Sequence, residues 1–340
     1  MKVLHAPMNI AGQATILSAS LRNLGIKSDI LTFYKHPFGY ADDICLELNE
    51  KKSLFSKLRA RFHYFFTCAR EYDVFHFHHG LSLLPYWIDL PLLRLMGKKV
   101  IMHYWGAEIR RTDIEDKYTY PGTSAIEKIY YPPKNIYIIR LKTWLIDKIV
   151  NISLVGDYSL LPYSPRSKVL KQAMDLDNIE FVGSVNGEEP IKIVHAPRER
   201  NIKGTEYVLN AVDRLKEDGY NIDFILLEKM DHDGVLDICK TVDIVVDQLL
   251  LESYGIFAIE CMALGKPVLC RIDEEFLKYY ADTPLPIVNS DPDTVYDNLK
   301  RLIENPEERE EIGIKGRRFA EEVHDAKKIA KQLLEIYESI

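Results

Sequence analysis

Short apolar runs rich in β-branched residues alternate with longer stretches of helical period along most of the chain. Residues 2–6 read as a strand, 9–13 as a loop, and 14–24 as a helix that Gly25 stops. Residues 27–33 form the next strand, so the chain opens with a right-handed, parallel strand–helix–strand unit. Strands follow at 74–78 and 99–103, separated by the helix-like 83–95, and 151–155 reads as the last strand of this half.

The pattern breaks near Tyr163, and a polar stretch at 186–190 follows. It restarts with a strand at 191–195, a helix at 205–216 and a strand at 222–227. A short helix, a strand at 243–248, a helix around Glu260 and a strand at 267–272 continue the series. The prediction is an α/β protein of two Rossmann-like, doubly wound domains, 1–165 and 166–324, facing across a cleft. Residues 325–340 form an amphipathic helix with Ile329, Leu333, Leu334, Ile336 and Tyr337 on one side. Ligands of open parallel sheets sit at the carboxyl ends of the strands. That singles out the loops after Ala6, Phe77, His103, His195, Leu227 and Gln248.

Composition narrows the class. A length of 340 residues with 47% apolar and 28% charged residues is that of a two-domain globular protein. The net charge of -7 argues against a general nucleic-acid binder. Cys45, Cys68, Cys239, Cys261 and Cys270 are scattered without CxxC spacing, as reduced thiols of a cytosolic protein are. The first residues read as a strand and not a signal peptide. The most apolar stretch, 81–96, carries Asp89, Arg94 and two prolines, and is too short and too charged to span a bilayer.

The chemistry concentrates in the second half. Glu252 and Glu260 bracket Ser253-Tyr254-Gly255 and the start of a helix, with apolar strands on either side. A helix N-terminus at a strand's carboxyl end suits an anion. Two carboxylates beside it suit a ligand rich in hydroxyls, because a carboxylate only accepts hydrogen bonds and a sugar diol offers two donors. The loop after 191–195 sets Arg198, Arg200 and Lys203 ahead of Gly204, with Thr205 as the expected N-cap of the next helix. Three cations there suit a di-anion, although Glu199 is available to pair with either arginine in an ordinary charged turn. The Gly12 loop is the equivalent place in the first half, but it lacks Gly-x-Gly-x-x-Gly and so does not read as a dinucleotide site.

Other features are weaker. His76 and His78 share one strand face, but no nearby carboxylate or cysteine completes a metal set. His103 ends its own strand. The Asp-x-Asp matches at Asp231, Asp175 and Asp291 are background in an acidic chain. Residues 51–70 interleave basic side chains with Leu54, Phe55, Leu58, Phe62, Phe65 and Phe66. That is the composition of a helix packed on the first domain or of one lying on a membrane surface.

These residues resemble the retaining glycosyltransferases of family 4, which have the GT-B architecture. The resemblance rests on Glu252-x7-Glu260 followed by Ala263-Leu-Gly-Lys-Pro-Val, on the Arg198, Arg200, Lys203-Gly204-Thr205 loop, on His195-Ala-Pro and on Val246-Asp-Gln. The first half is similar more loosely, through the Gly12 loop and His103-Tyr-Trp-Gly106-Ala-Glu-Ile-Arg110. The resemblance implies that Glu260 holds the ribose of a nucleotide-sugar and Glu252 the transferred sugar. It implies that Lys203 with Arg198 or Arg200 neutralises the diphosphate, helped by amides of Ser253, Tyr254 and Gly255, and that the base lies near Glu228. It also implies that helix 325–340 packs back on the first domain. Trp105 stands where relatives often have histidine, with His103 on the same strand face.

The expectation is a metal-independent, retaining glycosyltransferase without a cofactor. It would act on a nucleotide-diphosphate-sugar, with UDP as the nucleotide, and on a hydroxyl acceptor such as a glycan or lipid-linked glycan. A cytosolic location is expected, with residues 51–70 as the candidate contact to the inner membrane face. The alternatives are a catalytically silent GT-B binding protein, which Trp105 motivates, and a nucleotide-sugar epimerase on the same fold.

Overall fold

The computed structural model describes residues 1–36, 39–121, 135–183 and 190–340. The polar stretch at 186–189 lies outside them. The chain divides into two compact units, one of Met1–Arg111, Lys134–Ala173 and Ala326–Ile340, the other of Thr112–Pro133 and Met174–Asp325.

The first unit is built on a parallel sheet of β1 (Lys2–Ala6), β2 (Lys27–Thr32), β3 (Ile44–Cys45), β4 (Val74–His78), β5 (Lys99–Tyr104), β6 (Ile152–Val155) and β7 (Lys168–Val169). Their order is β3-β2-β1-β4-β5-β6-β7. The reversal of winding beside β1 is the doubly wound arrangement. Helices Gln13–Asn23 and Ala326–Ser339 cover one face, where Leu17, Leu21, Ile329, Leu333 and Tyr337 bury Val3, Val74, Ile101 and Leu154. Each of those four residues has the same strand parity, so the alternation of β-strand side chains selects the face. Gln13 fastens the loop ahead of its helix: its amide exchanges two hydrogen bonds with the backbone of Ala173, at 2.9 and 2.8 Å.

The second unit carries a parallel sheet of β8 (Ile191–His195), β9 (Ile222–Leu226), β10 (Ile244–Val246), β11 (Val268–Cys270) and β12 (Val288–Asn289), in the order β12-β11-β10-β8-β9. Helices Thr205–Glu217 and Val295–Glu304 supply Val208, Leu215, Leu299 and Leu302 to its core. Helix Pro306–Phe319 continues through a π-turn at Ala320–His324, and the chain then leaves this unit. Helix Thr112–Tyr118 belongs to this unit although the chain up to Arg111 belongs to the other. It is held by Arg271, whose guanidinium donates to the Tyr118 carbonyl at 2.6 Å, and by the Tyr120 amide, which donates to the Leu250 carbonyl at 2.9 Å.

Candidate active site

In the second unit β8 and β10 are neighbours, pairing Val246 with His195. The two loops that leave their carboxyl ends therefore lie side by side. They are stitched together: the Leu249 amide donates to the Lys203 carbonyl at 3.1 Å, and the Lys203 ammonium lies 2.6 Å from Oδ1 of Asp247. Asp247 is fully buried, and its other oxygen accepts from the Gly255 amide at 3.3 Å. Gly204 makes the close approach possible. At φ 78° its missing Cβ would stand 3.1 Å from Leu250 and 3.2 Å from Leu249.

His195 anchors the same corner from below. Its Nδ1 bonds the Val246 carbonyl at 2.8 Å, so that nitrogen carries the proton, and Nε2 accepts from the Thr205 hydroxyl at 2.9 Å. Burial holds this imidazole down to about 4, and it is neutral at physiological pH. The expected N-cap is therefore corrected: Gly204 occupies that position, and the Thr205 side chain is fully buried against His195.

The acid motif is split between loop and helix. Glu252 is buried in the loop, and helix Ile256–Ala263 begins just beyond Gly255. Glu260 is the fifth residue of that helix, so it sits a little over one turn in. Its carboxylate meets Nε2 of His232 at 2.7 Å. That bond raises the His232 imidazole to about 9, against the cost of burial. Sequence reasoning passed over His232 because it lies inside an Asp-x-Asp match. Tyr254 turns its hydroxyl inward to His324 and Tyr280, so only its backbone can face a ligand. Gln248 donates to the Ser253 carbonyl and ties the loop to its own start.

Of the three cations in the first loop, Arg198 is exposed, Lys203 is paired with Asp247, and Arg200 makes a two-pronged pair with Glu228, both contacts at 2.8 Å. Glu228 follows β9, the strand beyond β8. Ends of three adjacent strands thus contribute to one stretch of polar surface. A groove of about 720 Å³ between β12 and helix 306–319 lies elsewhere in this unit and contains none of these residues.

In the first unit Gly12 caps helix 13–23 at φ 72°, against the Tyr40 ring. His103 and Trp105 stack with ring centroids 4.0 Å apart. They end a row of buried imidazoles that His5, His76 and His78 continue across β1 and β4. The indole N–H of Trp105 only donates, and it reaches Nδ1 of His78 at 3.1 Å. His78 must then carry its proton on Nε2, which meets Nδ1 of His5 at 3.1 Å. Ligating nitrogens of His5, His76 and His78 lie within 4.8 Å of one another. The proton that Trp105 fixes on His78 opposes metal ligation through Nε2. The row is accordingly read as packed neutral histidines. Glu108, buried below Trp105, accepts from its backbone amide at 2.6 Å and pairs with His79 at 3.1 Å.

Residues 256–335 match a family model described as Glycosyl transferase-like. Comparison with curated proteins gives no match. The whole chain is similar to sucrose-phosphate synthase from Thermosynechococcus elongatus, with a TM-score of 0.65 and 15% identity over 99% of this chain and 98% of that one. It is also similar to Anabaena HepE solved with UDP-glucose, with a TM-score of 0.63 and 12% identity over 100% of both chains. A third similar structure is the lipopolysaccharide outer core galactosyltransferase WaaB, with a TM-score of 0.59 and 12% identity over 100% of this chain and 99% of that one. Identities this low speak for the fold. The chain thus has the GT-B fold, and its segment 256–335 is glycosyl transferase-like.

Proposed function

We propose that the chain is a retaining, metal-independent glycosyltransferase of family 4 type that moves a sugar from a UDP-sugar to a hydroxyl acceptor. The observation that carries this is the adjacency of the 198–203 cations and the Glu252–Glu260 motif at the ends of β8 and β10. A nucleoside diphosphate leaving group builds negative charge as the glycosidic bond breaks. A lysine already fixed by Asp247 meets that charge without reorganising. Arg198 adds a second cation, and Arg200, held by Glu228, a third beside the base. Glu260 accepts from the ribose diol, and Glu252 accepts from hydroxyls of the sugar as it takes on oxocarbenium character. HepE, similar in fold, was solved with UDP-glucose, which supports the choice of donor.

The test is donor turnover by Glu252→Ala and Lys203→Ala with a panel of UDP-sugars, with product anomers read by NMR and the assay repeated in a chelator. Wild-type rates in both variants would sink the site assignment. An inverted anomer, or activity lost in chelator, would sink the mechanism. Trp105 favours a second reading, a silent binding protein. That reading requires UDP binding without turnover for any donor.

A further inference from the structure

Helix Ile136–Ile149 of the first unit carries two apolar stripes. Ile139, Thr143 and Ile146 are buried. Tyr137, Ile138, Leu141, Trp144 and Leu145 recur at helical spacing on the other side and are exposed, Tyr137 by 78% and Trp144 by 53%. A surface helix covering a sheet ordinarily turns a polar face to water. Helix Asp89–Leu95 repeats the departure, with Leu92, Met96 and an 85% exposed Leu95. Helix Leu54–Glu71 sets Phe55, Phe62 and Phe66 outward, with Arg59 and Arg70 in the same stripe.

The three helices form one layer. They are successive crossovers of the sheet from β3 to β6, and right-handed connections in one direction fall on one face. Side chains link them. Arg61 donates to the Leu83 carbonyl at 2.5 Å, just before the turn at Pro85–Trp87, and the Lys142 ammonium of helix 136–149 lies 5.4 Å from the Trp87 ring. The charge of the layer runs against that of the chain. Residues 51–71 hold six cations, Lys51, Lys52, Lys57, Arg59, Arg61 and Arg70, against Glu71 alone, in a protein of net charge -7.

We propose that this layer docks on an anionic lipid surface, with the aromatic and aliphatic stripes in the headgroup region and the cations on lipid phosphates. Among the described residues no helix is long and apolar enough to cross a membrane, so the face lies on the surface. A second copy of the chain suits it poorly, because a two-fold contact would set cation against cation. The inference deepens the proposed function by directing it to a lipid-linked acceptor, and rests on that reading for the acceptor alone.

The test is flotation of the full chain, without donor, on phosphatidylcholine vesicles with and without about 30 mol% phosphatidylglycerol. The chain is expected to float with the anionic vesicles only and to be released by salt. Lys57→Glu with Arg59→Glu, and Leu141→Ser with Trp144→Ser, are each expected to weaken binding about tenfold or more. Their melting temperatures should stay near the wild-type value, since none of these side chains is buried. The proposal is overturned if the wild type ignores anionic vesicles or the variants float as it does. It is equally overturned if the wild type is a dimer that the Leu141→Ser, Trp144→Ser pair dissociates. UDP binding by calorimetry on the same samples reports the donor site separately, so failure there leaves the docking result standing.

Discussion

The Lys203 ammonium lies 2.6 Å from Oδ1 of Asp247, and the same aspartate accepts the Gly255 amide through its other oxygen. One buried carboxylate thus aims the cation of the first loop and fixes the start of the helix that bears Glu260. Lys203→Met should lower kcat about 100- to 1,000-fold, the usual effect of removing one preorganised group from a developing charge. Asp247→Asn should cost about 2 kcal/mol of stability by leaving a largely buried ammonium without its counter-charge, the partial exposure of Lys203 discounting the full penalty. Steady-state kinetics and urea unfolding separate the two effects.

His232 and Glu260 form a pH-sensitive pair. The imidazole is raised from an ordinary value near 6.5 to about 9. A raised folded-state value means that its stabilisation is complete below about pH 6.5 and is lost as pH rises through 9. The melting temperature should fall between pH 7 and 10 in the wild type, and this component should be missing in His232→Gln. An imidazole resonance titrating near 6.5 would refute the pair.

The first unit should be acid-labile. Burial pushes His5 and His103 down to about 3 and His76 and His78 well below their ordinary value. The unfolded chain takes up these protons near pH 6.5 and the folded chain does not. Stability is therefore present above 6.5 and falls as pH drops toward 3, because the unfolded chain binds protons there that the folded chain does not. Hydrogen exchange on β1, β4 and β5 between pH 7 and 5 measures it. Unchanged protection there would contradict the neutral row.

Gly313 lets helix 306–319 press on the turn after helix 256–263. A Cβ there would stand 2.1 Å from the Gly265 carbonyl oxygen, an atom of the backbone that cannot swing aside. Gly313→Ala should cost about 3 kcal/mol and lower donor affinity through the displaced Glu260 helix, whereas Gly219→Ala at an open turn should spare the affinity. Chemical unfolding and UDP titration of both variants check this.

Local pattern carried much of this protein. The strand and helix periods gave two doubly wound units, and motif spacing singled out Glu252, Glu260, Lys203 and the arginines as candidates, because each motif lies within a few residues of chain. Strand adjacency was not written there. That β8 lies beside β10 decides that Lys203 meets Asp247, and that β1 lies beside β4 decides that His5 joins His76 and His78. Nor did period reveal which unit helix 112–118 serves, because its anchor, Arg271, is more than a hundred residues away. The sequence by itself determined the elements and the chemistry of each loop. Only the tertiary structure decided the partners: the Glu260 carboxylate, against the cost of burial, makes His232 a cation, while burial keeps His195 a neutral post for Thr205 and strand adjacency makes Asp247 the support of Lys203.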